Sequence, residues 1–162
     1  MTTAPSTYAA QTLWERGTTS VADFLAGRYQ RGHRLRFDGG ADVAGSASVH
    51  NVKGPYADPA AVDPEEAFVS ALSSCHMLFV LWFAQRRGWC VDRYLDDASG
   101  VLADDERGRR SMTVVTLRPQ MAFSGEQRPN ADELVRLHHD AHEACFIANS
   151  VRTEVRVEPR AG

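Results

Sequence analysis

Apolar residues dominate positions 67–84, and the residues around this stretch predict a long helix. Asp63 can cap its N-terminus, Pro64 suits its first turn, and Glu66 can complete a capping box. Gly88 supplies a common helix stop. The pattern therefore predicts one long, buried helix between Asp63 and Gly88.

Strands are indicated on both sides of this helix. Residues alternate across 31–49 around a turn at 37–40, where two glycines give the freedom that a tight hairpin needs. Two further strands, 91–103 and 111–123, are joined by a polar turn at 104–108. These last two strands predict a second hairpin.

A second helix and a final strand follow. Asn130 and Glu133 form a capping box, and apolar residues then recur at helical spacing as far as Cys145. Residues 151–158 alternate between Val or Thr and charged side chains, as in a half-exposed strand. The order strands, helix, hairpin, helix, strand predicts an α+β fold.

The length of 162 residues allows one domain with a single core. We expect residues 1–28 to form an arm or a short docking helix, and residues 29–162 to form the domain. The formal net charge of -3 gives no general attraction to nucleic acid.

Two features bear on location. The start of the chain has no basic segment followed by an apolar core, so we expect no signal peptide and a cytoplasmic protein. Polar side chains also interrupt the apolar stretch, where they would be costly in a membrane. These interruptions are Ser70, Ser73, Ser74 and His76.

The chain has three cysteines, an odd number and too few for a disulfide scaffold. Cys75 lies inside the first long helix, on one stripe with Phe68, Leu72 and Phe79. A small core residue and a reactive thiol both fit that position. Cys90 follows the helix stop and is predicted to be a packing residue.

Histidines accompany two of the cysteines. His76 follows Cys75 and points about 100° away around the helix, so we expect a hydrogen-bonded core or interface histidine. His138, His142 and Cys145 share one face of the second helix, an arrangement that can bind zinc. No C-x-x-C or H-E-x-x-H motif supports that site, and no metal or cofactor is assigned.

Cys75 and Cys145 would meet only if their helices pack together. A thiolate at Cys75 could then attack a peroxide O–O bond and become a sulfenic acid, which Cys145 would convert to a disulfide. The thiolate form needs a nearby cation or hydrogen-bond donor, and arginine is the natural supplier.

Several segments resemble a known family. They are YxRxHxxxFDGG (29–40), VDPEEAFVSALSSCHM (62–77), GVLADDERGRRSMTVVTLRPQMAFSG (100–125) and LHHDAHEACFIANSVRTEVRVEP (137–159). With them the chain resembles the OsmC/Ohr family of osmotically inducible and organic-hydroperoxide-resistance proteins across residues 29–159. The opening segment looks like that of an OsmC-like subgroup.

The resemblance implies an OsmC-like fold in which antiparallel sheets wrap around two long central helices of an intertwined homodimer. It gives Cys75 the role of the attacking cysteine and Cys145 that of the resolving one. Glu65 matches the family glutamate that holds an active-site arginine.

The arginine itself departs from the family pattern, because none lies between Phe37 and Glu65. We favour Arg31 and His33 for its role. The other candidates are Arg34, Arg36, His50 and Lys53.

The resemblance thus implies a thiol peroxidase that reduces organic hydroperoxides and is regenerated by a small dithiol, of the lipoyl type or another. Two alternatives are a non-catalytic dimer that binds a small ligand or senses redox state, and a zinc-binding protein.

Overall fold

A computed structural model describes residues 4–160 of the chain, which contain both helices and runs of mostly antiparallel strands, as in an α+β fold. The elements, in chain order, are β1 (Ala10–Leu13), α1 (Val21–Leu25), β2 (His33–Phe37), β3 (Asp42–Gly45), α2 (Pro64–Arg86), β4 (Cys90–Asp96), β5 (Ser99–Asp104), β6 (Arg110–Leu117), β7 (Pro119–Ser124), α3 (Ala131–Ala144), a 3₁₀ turn (Ala148–Ser150) and β8 (Glu154–Val157).

The chain divides into two compact units, one ending at Pro64 and the other beginning at Glu65. In the first unit, β1, β2 and β3 form a three-stranded antiparallel sheet in that order. The predicted hairpin is confirmed, with its turn at Gly40 (φ 88°). The predicted arm contains β1 and α1, and β1 pairs with β2. The domain boundary after residue 28 stays a prediction.

Helix α2 begins at Pro64 and ends at Arg86, as the sequence pattern predicts. Gly88 follows with a φ of 77°, a conformation that glycine adopts at low cost. One stripe of α2 is buried, and its members are four residues apart: Leu72, His76, Val80 and Ala84. The prediction of a buried helix is therefore correct for one face of α2.

The second hairpin is longer and more divided than predicted. Its two arms each break in the middle, so that the antiparallel pairs β4–β7 and β5–β6 belong to two separate sheets. The breaks fall at residues 97–98 and at Arg118. The turn between β5 and β6 includes Gly108 with positive φ.

The final strand is shorter than predicted and pairs parallel to β6, next to Val114–Leu117. This pairing is the one departure from antiparallel order among the named strands of residues 4–160. A parallel partner is possible because β7 and α3 lie between β6 and β8 and carry the chain back. The capping box at Asn130 and Glu133 opens α3 as predicted.

Two buried clusters line α2 within the second unit. The first joins α2 to β6 and consists of Leu72, Val115 and Leu117. The second joins α2 to β7 and α3 and consists of Val80, Ala84, Met121, Leu137 and Ala141. Both cysteine-bearing helices are thus anchored to the same core by well-packed apolar side chains.

Asp96 holds the point where the two sheets separate. One of its carboxylate oxygens accepts a hydrogen bond from Ser73 Oγ at 2.6 Å, and the other accepts one from the Arg118 backbone N–H at 2.6 Å. The side chain thereby ties α2 to both arms of the broken hairpin.

Replacement of Asp96 by alanine is expected to lower the free energy of unfolding by about 2–4 kcal/mol, because two donors in a partly buried site lose a charged acceptor. Asp97→Ala is the control: its exposed ion pair with Arg160 contributes at most about 1 kcal/mol. Urea unfolding at one protein concentration measures both. Equal losses in the two variants would contradict the assigned role of Asp96.

Candidate active site

Cys75 and Cys145 come together where α2 meets the end of α3. Cys75 is half-buried in the middle of α2, whereas Cys145 caps the C-terminus of α3 and is 1% exposed. The two thiols form a side-chain hydrogen bond. The sequence leaves open whether the two cysteine-bearing helices pack together, and the structure shows that they do.

The surroundings of Cys145 favour its protonated form. Burial, and then the hydrogen bond with Cys75, raise the pKa of the Cys145 thiol to about 11. The Ala148 backbone N–H donates to Cys145 Sγ at 3.5 Å and acts in the opposite direction.

This arrangement gives the two sulfur atoms different chemical characters. Cys75 is the more accessible of the two, as an attacking sulfur should be. Cys145 is buried, protonated at neutral pH and close enough to Cys75 for the two thiols to interact, as suits a thiol that reacts second.

His76 and His138 form a second contact between α2 and α3. Their rings are stacked, and His76 Nε2 lies 3.1 Å from His138 Nδ1. The prediction that His76 is a hydrogen-bonded core histidine is confirmed. Burial lowers the pKa of His76 to about 3, with smaller contributions from His138 and His142, and burial lowers the pKa of His138 to about 4. Both rings are neutral at neutral pH.

The zinc hypothesis is not supported. Within residues 4–160, no three His, Cys, Asp or Glu side chains are grouped so as to hold a metal ion. His138 instead directs Nδ1 at His76, and Cys145 directs its thiol at Cys75. Two of the three residues on this helix face, His138 and Cys145, therefore have partners on α2.

Cys90 does not pack in the interior. It is exposed at the start of β4, opposite Ser124 of β7, so the prediction that it is a packing residue is wrong. The residue lies just after the helix stop, where the chain has only begun to pair, and Trp89 provides the nearby apolar packing.

The candidate activating residues lie on separate parts of the chain. Glu65 is half-buried in the first turn of α2, ten residues and therefore about 15 Å of helix before Cys75. Arg31 belongs to the first unit, where its guanidinium donates to the carbonyls of Gly27 and Tyr29. His33 Nδ1 lies 2.9 Å from the Arg31 carbonyl oxygen.

The other arginines of this region are engaged as well. Arg34 and Arg36 form exposed ion pairs with Asp42 across the β2–β3 hairpin. Arg31 also lies over the Tyr29 ring, 3.7 Å from its centroid. Within the first unit, these contacts hold the candidate cations to local partners.

The family model for OsmC-like proteins matches residues 57–160, which include both helices and both thiols. The chain belongs to the OsmC-like protein family. Comparison with curated protein sequences gives no match. The OsmC-like segment that matches covers the predicted motifs around Cys75 and Cys145, so the resemblance noted from the sequence is confirmed.

Solved structures agree with this assignment. An OsmC-like protein of unknown function from Vibrio cholerae is 46% identical, with a TM-score of 0.93 over 96% of this chain and 100% of that one. An organic hydroperoxide resistance protein OsmC from Legionella pneumophila is 16% identical, with a TM-score of 0.66 over 99% of both chains. OhrB of Bacillus subtilis is 18% identical, with a TM-score of 0.60 over 97% of this chain and 98% of that one.

The last two proteins have low sequence identity to this chain, so these two comparisons show a shared fold alone. The α+β architecture predicted for the chain is thereby confirmed. The two proteins, from Legionella pneumophila and Bacillus subtilis, are named as organic hydroperoxide resistance proteins.

Helix α2 of this OsmC-like chain also has an exposed apolar face. Among residues 4–160, α2 is the one helix long and apolar enough to cross a membrane, a test that the core helix of a globular domain also passes. Its exposed side chains include Leu78, at 62% of full exposure, and Trp82, at 48%. A surface of that kind lies on the face opposite the buried stripe.

Two features of the site were missed by sequence analysis. The first is the imidazole pair, of which only His76 was interpreted as a core residue. The second is Asp96, which binds Ser73 beside Cys75. Nothing in the sequence near Asp96 indicates its role, because its hydrogen-bond partners, Ser73 and the Arg118 backbone, are distant in the chain. A histidine inside an apolar stretch was the available sign of the imidazole pair, since a buried imidazole needs a partner.

Proposed function

We propose that this OsmC-like protein is a thiol-dependent peroxidase that reduces organic hydroperoxides at the expense of a small dithiol. The observation that carries the proposal is the hydrogen bond between the Cys75 and Cys145 thiols. Two thiols close enough for that interaction can form a disulfide bond once one of them is oxidised.

In the proposed cycle, the Cys75 thiolate attacks the terminal peroxide oxygen. An S–O bond forms as the O–O bond breaks, the alkoxide leaves and takes up a proton from solvent to become the alcohol, and Cys75 becomes a sulfenic acid. Cys145 then forms the S–S bond as the S–O bond breaks, and its proton leaves with hydroxide as water. A dithiol, of the lipoyl type or another, reduces the Cys75–Cys145 disulfide by thiol–disulfide exchange and is itself oxidised to a disulfide.

Aromatic side chains beside the thiols support an organic substrate. Phe79 lies one helical turn after Cys75, and its ring packs edge-on against Phe146 at 5.0 Å between centroids. Phe146 directly follows Cys145 and is 70% exposed. An alkyl or acyl chain could cover this apolar surface, with a gain of about 25 cal/mol per Å² buried.

The role of a thiolate-stabilising group is proposed for Arg31 and His33, with Glu65 holding the arginine, as in the family pattern. We also propose that the protein acts as a homodimer in the cytoplasm, where dithiols stay reduced. The exposed Leu78 and Trp82 on α2 support an apolar interface with a second copy.

Mass spectrometry after one equivalent of an organic hydroperoxide tests the proposal. We expect a disulfide between Cys75 and Cys145, with Cys90 still a thiol, and recovery of both thiols when a lipoyl-type dithiol is added. A non-catalytic ligand-binding dimer would leave all three cysteines reduced. A redox sensor would form the disulfide but show no repeated turnover of peroxide by dithiol.

A further inference from the structure

The thiol pair has a neighbour of the same kind. Cys75 contacts Cys145, and the next residue of α2, His76, contacts His138 of α3. On α2 the two contacts are adjacent, but on α3 they are seven residues apart, which is two turns of one face or about 10 Å. The two contacts are therefore close together on one helix and well separated on the other.

Because of this unequal spacing, the imidazole contact can control the position of the Cys145 thiol relative to Cys75. A single contact between two crossing helices leaves one helix able to pivot about it. The apolar cluster of Val80, Ala84, Leu137 and Ala141 also joins the helices, but apolar packing is not directional. The hydrogen bond at His138 adds a directional contact two turns along α3 that opposes the pivot and so helps to fix the position of Cys145. The ion pair of Arg87 with Asp140 also joins these elements, but it lies beyond the far end of α2.

The imidazole contact is shielded from water. His76 is 1% exposed and His138 is 3% exposed, so water cannot readily replace either ring. His76 Nδ1 has no hydrogen-bond partner among the described residues, which leaves the bond to His138 as the one that satisfies the His76 ring. Loss of that bond would leave a second buried nitrogen of the His76 ring without a hydrogen-bond partner, which is unfavourable.

We propose that His76 and His138 form a positioning pair, whose hydrogen bond holds α3 at the crossing where the Cys145 sulfur reaches Cys75. The pair does not touch the peroxide. It acts on the second step, in which the S–S bond forms, the S–O bond of the sulfenic acid breaks, and water leaves. This role rests on the proposed function, but the geometry of the thiols can be tested without peroxide.

The test uses matched variants of nearly equal size. His76→Gln and His138→Asn keep a polar group where the hydrogen-bonding nitrogens lie, whereas His76→Met and His138→Leu remove it. Arg87→Gln weakens another tie between α2 and α3, and His139→Asn changes an exposed neighbour of His138. The last two variants are controls for general loosening of the helices.

The first readout is the equilibrium between the dithiol and disulfide forms in a glutathione redox buffer, which gives the effective concentration of the two thiols. The Met and Leu variants are expected to lower it by about tenfold or more, and the Gln and Asn variants and both controls to stay within about threefold. Equal values in the Met, Leu, Gln and Asn variants would overturn the proposal.

The second readout separates this inference from the proposed function. After one equivalent of organic hydroperoxide, a sulfenic-acid trap should label Cys75 more in the Met and Leu variants than in the wild type, because resolution slows while attack does not. If wild-type Cys75 is not oxidised by peroxide, the peroxidase proposal fails, but the glutathione result still decides the positioning role.

A third measurement uses the wild type and therefore tests the proposal even if the variants do not fold. In the reduced wild type, nitrogen NMR of the imidazoles should show one fixed tautomer for each ring of a hydrogen-bonded pair, with changes in both rings when the disulfide forms. Rings that average between tautomers, or that ignore the disulfide, would overturn the proposal.

Discussion

Replacement of Cys75 by serine is expected to abolish dithiol-dependent reduction of organic hydroperoxide, with a fall in rate of about 10³-fold or more. A hydroxyl stays protonated at neutral pH and cannot attack the O–O bond as a thiolate does. The fold should persist, because serine is close to cysteine in size and Cys75 is only half-buried. Steady-state peroxide consumption with a lipoyl-type dithiol measures the change.

Two further serine variants make this result interpretable. Cys145→Ser should still consume one equivalent of peroxide, but it should then accumulate the Cys75 sulfenic acid, because no thiol is in place to resolve it. Cys90→Ser should reduce the peroxide at the wild-type rate within about twofold, since Cys90 is exposed and has no part in the proposed cycle. Full activity of Cys75→Ser would refute the proposed function.

The parts of the fold that were predicted correctly depend on local signals. Pro64 and Gly88 mark the ends of α2 through backbone preferences that act within a few residues. The same holds for the capping box of Asn130 and Glu133. The OsmC-like resemblance added the arrangement of these elements, which local signals do not contain.

The parts that were missed depend on contacts between distant residues. The second hairpin divides where Asp96 binds Ser73 and the Arg118 backbone, and nothing near Asp96 in sequence reveals those partners. The parallel pairing of β8 with β6 is also non-local. An alternating pattern identifies a strand and its buried face, but not its neighbour or its direction.

The site follows the same division. Sequence analysis identified Cys75 and Cys145 as the cysteines of interest, although they are seventy residues apart. Their contact is a result of how α2 and α3 pack, and so is the contact of His76 with His138. The placement of Cys90 in the interior was wrong because the apolar neighbour Trp89 took that position instead.

The buried imidazole pair should also make the protein sensitive to mild acid. The pKa values of His76 and His138, about 3 and about 4, lie below the ordinary value of 6.5, so the unfolded chain binds these protons more readily than the folded one. Stability from these groups is present above about pH 6.5 and is lost as pH falls towards the folded pKa values. By pH 5 the loss should be about 2 kcal/mol for each histidine.

Urea unfolding at pH 7.5 and pH 5, at one fixed protein concentration, measures this loss. The double variant His76→Gln/His138→Asn should lose about 4 kcal/mol less than the wild type between the two pH values, because neither replacement titrates. His139→Gln, on an exposed part of α3, should keep the wild-type loss. An equal loss in all three proteins would mean that other groups govern the acid response. The interval above pH 5 is informative because the carboxylates with lowered pKa, such as Asp42 and Asp105, stay ionised throughout it.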